Sequence, residues 1–193
     1  MKSLDEYERL AAVAHGHICA GQILGLRLAM HGMELLGLED PAGKDRKRLV
    51  TFVEIDRCAT DAITVVTGCR LGKRALKFRD FGKVAATFCD VQTDRAVRVV
   101  ALEESKQRAK ELFPGIADRN QQQMTAYRDM PVEELFRHQW VRVTLGPEEF
   151  PGYKSTRRVC SQCREGINFE RFVERDGQIL CRGCAGENYF LPL

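Results

Sequence analysis

Cys160-Ser-Gln-Cys163-Arg-Glu-Gly-Ile-Asn-Phe-Glu-Arg-Phe-Val-Glu-Arg-Asp-Gly-Gln-Ile-Leu-Cys181-Arg-Gly-Cys184 contains two CxxC pairs separated by seventeen residues. That spacing points to a closed four-thiolate metal site, because each CxxC turn can aim both sulfurs at one ion and two turns complete a tetrahedron. Four protein ligands leave no position for substrate, so the site is expected to hold structural zinc. Two disulfides are the plain alternative, and a rubredoxin-like iron site is the chemical one. Ser161 and Arg164 stand where rubredoxin knuckles usually carry Pro and Gly. Between the pairs, 168–173 reads as a strand, Asp176-Gly177 as a tight hairpin turn and 178–180 as the returning strand. Cys181 is expected to open a short helix whose amino terminus favours its thiolate and that of Cys184. A knuckle, hairpin and helix in this order resemble a treble-clef zinc finger.

The surrounding composition suits an ordinary domain with a small appendage. Of 193 residues, 44% are hydrophobic, and thirty basic against twenty-seven acidic side chains leave a net charge of +3. No global field therefore points to nucleic acid or to an acidic membrane. The finger carries seven basic and five acidic residues. Contact with nucleic acid would require Arg157, Arg158, Arg164, Arg171, Arg175 and Arg182 to gather on one face. No uncharged run approaches the ~20 residues needed to span a bilayer, so a soluble protein without a membrane partner is expected. Residues 1–9 are charged with both signs and precede no uninterrupted apolar run. Together with eight cysteines, this predicts a reducing, cytoplasmic setting.

Gly146-Pro147 and Pro151-Gly152 punctuate the chain, so 1–150 is read as the core and 151–193 as the finger. Within the core, Ser3 and Glu6 form a capping box for a helix over 3–13. A second helix is expected from Cys19 to Gly37. It is apolar around most of its circumference, as a dimer interface or the middle of a monomer would require. Strands are expected over 49–55, 75–78, 84–90, 96–102 and 140–145, with helices over 58–67, 103–112, 119–129 and 131–137. The whole is α+β, a largely antiparallel sheet with flanking helices. The basic loop Lys44-Asp-Arg-Lys-Arg48 reads as solvated surface. Gly68-Cys-Arg-Leu-Gly72-Lys73 lacks the length and the Ser or Thr of a phosphate loop.

The remaining chemistry collects at His15-Gly-His17-Ile-Cys19-Ala-Gly21, Cys58-Ala-Thr-Asp61 and Gly68-Cys69. His17 and Cys19 share a side only where the chain is extended. A segment extended through His17 and helical after Cys19 could therefore offer imidazole and thiolate to one ion. Cys58 sits at a second strand-to-helix junction, and His15 could be a ligand, a hydrogen-bonding support or a loop residue. Cys69 and Cys89 read first as small buried hydrophobes, and His31 and His138 as structural.

These motifs, followed by Asp80-Phe-Gly82-Lys83 and a hairpin, resemble the E-subunit family of formylmethanofuran dehydrogenase over most of residues 1–145. Ala20, Thr64 and Arg70 depart from the family's usual residues. The resemblance implies an intertwined homodimer and a metal-associated pocket carried onto His17, Cys19 and Cys58. Asp61, Cys69 and Lys83 are nearby candidates, so Cys19, Cys58, Asp61 and Lys83 are the side chains to consider for chemistry. The enzyme that gives the family its name is a molybdenum or tungsten oxidoreductase whose redox work belongs to its other subunits. The expectation is an accessory or partner-binding zinc protein linked to that metabolism. Its rivals are a small metalloenzyme using the core Cys and His, and a metal-responsive regulator whose finger contacts protein or nucleic acid.

Overall fold

The computed structural model describes residues 1–191 and divides the chain into two compact units, Met1–Thr144 and Leu145–Leu193. In the first unit, helix α1 (Leu4–His15) starts at the reciprocal capping box. The Glu6 N–H donates to Ser3 Oγ at 3.3 Å and the Ser3 N–H to Glu6 Oε2 at 2.9 Å. It stops at Gly16, whose φ of 90° lies in the left-handed region that terminates helices at low cost for glycine. Helix α2 (Ala20–Leu36) follows and ends at Gly37 in the same way.

Helix α2 is the central element of the unit. It packs on α3 (Cys58–Thr67), on α5 (Arg119–Asp129), on α1 and on one face of the sheet. Its small residues set the separations. A Cβ on Gly25 would fall 2.5 Å from the Ala59 carbonyl oxygen, and one on Gly32 would fall 2.3 Å from the Phe88 ring. Ile23, Leu26, Leu28, Ala29 and Met33 are fully buried within the single chain. Much of this helix's apolar circumference is therefore covered by elements of its own chain. Arg27, its charged exception, donates to the carbonyls of Tyr127 and Arg128 at 2.7 Å and Met130 at 2.9 Å, closing the carboxyl end of α5.

The sheet runs β2-β1-β3-β4-β5, formed by β1 (Leu49–Val53), β2 (Leu76–Phe78), β3 (Ala85–Asp90), β4 (Arg95–Ala101) and β5 (Phe136–Val141). β2 lies parallel to β1 through the α3 crossover, and the other pairings are antiparallel. The β3–β4 hairpin is pinned by Asp90, whose carboxylate accepts from the Gln92 N–H at 3.1 Å, Thr93 Oγ1 at 2.8 Å and Arg48 Nη2 at 2.6 Å. At the end of β1, buried Glu54 is held by Arg98 through bonds of 2.6 and 2.7 Å. Helix α4 (Ser105–Leu112) and α5 follow, the latter capped by Asp118 accepting from Gln121 N–H at 2.7 Å.

Two expectations fail at the end of this unit. The helix expected over 131–137 is only α6 (Val132–Leu135), and the strand expected at Trp140 begins at Phe136. Pairing of Phe136–Val141 with Ala96 to Ala101 of β4 overrides local helix propensity.

In the second unit, β6 (Arg158–Val159) pairs with β7 (Gly166–Ile167), and β8 (Phe172–Arg175) pairs with β9 (Gln178–Cys181). Asp176 and Gly177 take φ of 51° and 72°, the backbone of a two-residue hairpin turn. The strand expected over 168–173 starts only at Phe172, because Phe169 and Glu170 both take positive φ. Cys181 belongs to β9, and no helix follows it among the described residues. A single turn forms instead, with the Ala185 N–H on the Cys181 carbonyl at 2.9 Å, and it ends at Gly186 with φ of 111°. No helix dipole therefore acts on the Cys181 and Cys184 thiolates, contrary to expectation.

Candidate metal centres

The sulfurs of Cys160, Cys163, Cys181 and Cys184 all lie within 4.8 Å of one another. Cys163 and Cys181 are 3.8 Å apart, close to the roughly 3.8 Å edge of a tetrahedron with ~2.3 Å metal–sulfur bonds. That separation is far beyond a disulfide, and all eight cysteines are free thiols. The knuckle supplies the electrostatics that a helix terminus would have provided. Backbone N–H groups, that of Cys181 first and then Cys163, lower the Cys160 thiol to about 6. The Cys181 N–H stands 3.3 Å from the Cys160 sulfur. Crowding against its neighbours, Cys181 first, raises Cys184 to about 12. Four sulfurs this close cannot all ionise without a cation among them, so the donor set fits a zinc-type ion.

In the first unit, the ligand atoms of His15, His17 and Cys19 lie within 4.8 Å of one another. Gly16 breaks α1, and the chain is then extended up to Cys19, whose φ and ψ are −146° and 168°, before α2 begins. Helical spacing would have separated these side chains, and the extended link brings them to one side. His15 Nδ1 is 2.8 Å from Asp61 Oδ2. An ionised carboxylate can only accept, so Nδ1 carries the proton and Nε2 keeps its lone pair for a metal. Asp61 thus orients an imidazole and is itself half exposed.

Cys58 opens α3 beside Cys19. A Cβ on Gly21 would meet Cys58 Cβ at 3.4 Å and Cys19 Sγ at 3.8 Å. Burial raises the Cys58 thiol pKa, and the adjacent Cys19 adds to it. Cys69 is not brought to this cluster. It follows the far end of α3, ten residues of helix or roughly 15 Å from Cys58. There Thr51 Oγ1 donates to its sulfur at 3.4 Å, and burial pushes its thiol up. Cys89 is likewise buried, and its thiol is raised to about 12. Lys83 lines a cavity of about 400 Å³ with Leu24, Ile55 and Lys106.

One contributor had no signal in the sequence. Cys19 caps α2 with its backbone alone, and Asn120, one hundred positions away, accepts from the Ala20 N–H at 3.0 Å. Gln22, one turn into α2, is fully buried with neither amide atom hydrogen-bonded.

The architecture defines a two-module α+β protein with a His/Cys cluster in its larger unit and a four-cysteine, zinc-type module in its smaller one. Residues 14–137 match the family described as FmdE, molybdenum formylmethanofuran dehydrogenase operon. Residues 153–190 match the prokaryotic dksA/traR C4-type zinc finger. This chain belongs to the FmdE family. Its fold resembles the crystal structure of a tungsten formylmethanofuran dehydrogenase FmdE-like protein from Syntrophus aciditrophicus. The TM-score is 0.65 at 20% identity, over 98% of this chain and 96% of that one. A probable S-adenosyl-L-methionine-binding protein of Archaeoglobus fulgidus is 32% identical over an alignment of 197 residues, 91% of this chain and 51% of that protein. The chain thus spans about half the length of that relative. Among the described residues, no helix is long and apolar enough to cross a membrane.

Proposed function

We propose that this chain is a metal-binding accessory protein, with structural zinc in its finger and a second ion held by His15, His17 and Cys19, next to Cys58. The carrying observation is the convergence of three donor atoms within 4.8 Å at a break between two helices. Three donors leave a coordination position open, and Cys58 stands beside it as the fourth donor or as the thiol that faces an incoming ligand. The family name links this site to molybdenum or tungsten enzyme metabolism, and we assign the protein a partner-binding role there. S-adenosylmethionine binding is named for a relative whose other half this chain does not match, and it forms no part of the reading. The reading includes a homodimer, which the family resemblance supports. Light scattering that returned a monomer at working concentrations would remove that element.

Elemental analysis of the full-length protein tests the core site. Cys19→Ser is expected to lower the metal content by up to one equivalent per chain, and Cys58→Ser to weaken retention. Cys89→Ser and Cys69→Ser should leave the content unchanged, because both thiols lie outside the cluster. Unaltered content in Cys19→Ser and in a His15→Ala, His17→Ala double variant would reduce the cluster to packing.

A further inference from the structure

Gly21 lies in the first turn of α2, and two cysteines close over the space that its missing side chain leaves. A Cβ there would meet Cys58 Cβ at 3.4 Å and Cys19 Sγ at 3.8 Å. Among the described residues, no further side chain beyond its chain neighbours comes within 4 Å of that point, so nothing stands between the two cysteines there. Cys19 flanks the start of α2 and Cys58 is the first residue of α3. The close crossing of Gly25 on Ala59, one turn further along, holds these two helix starts together. Among side chains, Cys19 acts most strongly on the Cys58 thiol, as a hydrogen-bonding neighbour and as a like charge. Both thiols are half-buried and free, whereas Cys69 and Cys89 are buried.

We propose that Cys19 and Cys58 form a reversible oxidation site, at which a small peroxide joins them in a disulfide. One sulfur attacks the O–O bond of the peroxide, keeping one oxygen as a sulfenic acid while the other leaves as water. The second sulfur then displaces the sulfenic oxygen, which leaves as a second water, and the S–S bond forms. Two thiols give up two electrons and two protons, and one hydrogen peroxide becomes two waters. A sulfenic acid next to a second thiol condenses in this way instead of proceeding to irreversible acids. A dithiol reverses the bond by exchange. The consequence for metal rests on the reading of Cys19 as a ligand. A sulfur in a disulfide is no longer a thiolate donor, so oxidation would release the core ion.

The test treats the full-length protein with stoichiometric hydrogen peroxide, as purified and again after a chelator. Remaining thiols are alkylated, and tryptic peptides are mapped by mass spectrometry. A cross-link between peptides 10–27 and 58–70 is expected, absent before oxidation and removed by dithiothreitol. Cys58 and Cys69 share the second peptide, so the same digest of Cys69→Ser assigns the bond. In Cys58→Ser, Cys19 is expected to be trapped as a sulfenic acid by dimedone. Recovery of both cysteines without the cross-link in both samples overturns the proposal, as does a cross-link that disappears in Cys69→Ser. Metal is measured on the oxidised samples, where loss of about one equivalent beyond Cys58→Ser is expected. A cross-link with unchanged metal content leaves the oxidation site standing and removes Cys19 from the ligand set, so the two readings fail separately.

Discussion

Cys163→Ala should release one metal equivalent per chain and unfold the second unit while leaving the first intact. Among the described residues, the finger's own core is Cys160, Ile167 and Leu180, with a few half-buried neighbours such as Phe172 and Ile179. So small an apolar cluster cannot offset the conformational entropy of ordering the unit. Metal binding supplies the difference, since zinc contributes about 10–16 kcal/mol of folding free energy in comparable small modules. Cys163 is the most exposed of the four cysteines, so its substitution opens no large cavity and the effect reports the ligand. The expected signature is rapid proteolysis after the first unit, with the core's thermal transition preserved. Full metal content in the variant would refute the assignment. A red ferric chromophore in the unaltered protein would replace zinc with iron.

Arg98→Ala should cost about 3–5 kcal/mol, because it strands the Glu54 carboxylate in the interior without its two guanidinium bonds. The Glu54 side chain is 6% exposed, and the pair is joined by bonds of 2.6 and 2.7 Å. Those bonds, together with the carboxylate charge, raise the Arg98 pKa. The position matters beyond stability. The Glu54 carbonyl accepts from Phe81 and Lys83 N–H groups at 3.1 and 3.2 Å, and the chain then runs directly into Cys58 at the start of α3. Loss of the pair should therefore loosen the Asp80-Phe-Gly82-Lys83 turn and the approach to the His/Cys cluster. Urea denaturation gives the measurement, with the midpoint falling at constant slope. Replacing both partners by Glu54→Leu and Arg98→Met should recover most of the loss, since it removes the buried charge along with its partner. A single-variant cost below about 1 kcal/mol would show that Glu54 is solvated after all.

The sequence alone determined what local chemistry controls. Ser3 and Glu6 wrote the start of α1, and Gly37 and Gly68 ended α2 and α3 because only glycine enters the left-handed cap at little cost. Asp176-Gly177 fixed the finger's hairpin, and the spacing of the two CxxC pairs was enough to name the four cysteines whose sulfurs converge. The change from extended chain to helix at Cys19 was legible too, as was the requirement that His17 and Cys19 share a side there. Tertiary structure decided whatever depended on partners distant in the chain. It covered α2 with its own chain's α3, α5 and sheet, and it supplied Asn120 as a cap from one hundred residues away. It gave Phe136 to β4 rather than to a helix, since a row of inter-strand bonds outweighs a few tenths of a kcal/mol of propensity. It also set Cys69 a helix length away from Cys58, tied His15 to Asp61, and brought His31 to His138. None of these pairings has a fixed spacing in sequence, because packing, and not periodicity, sets where two elements meet.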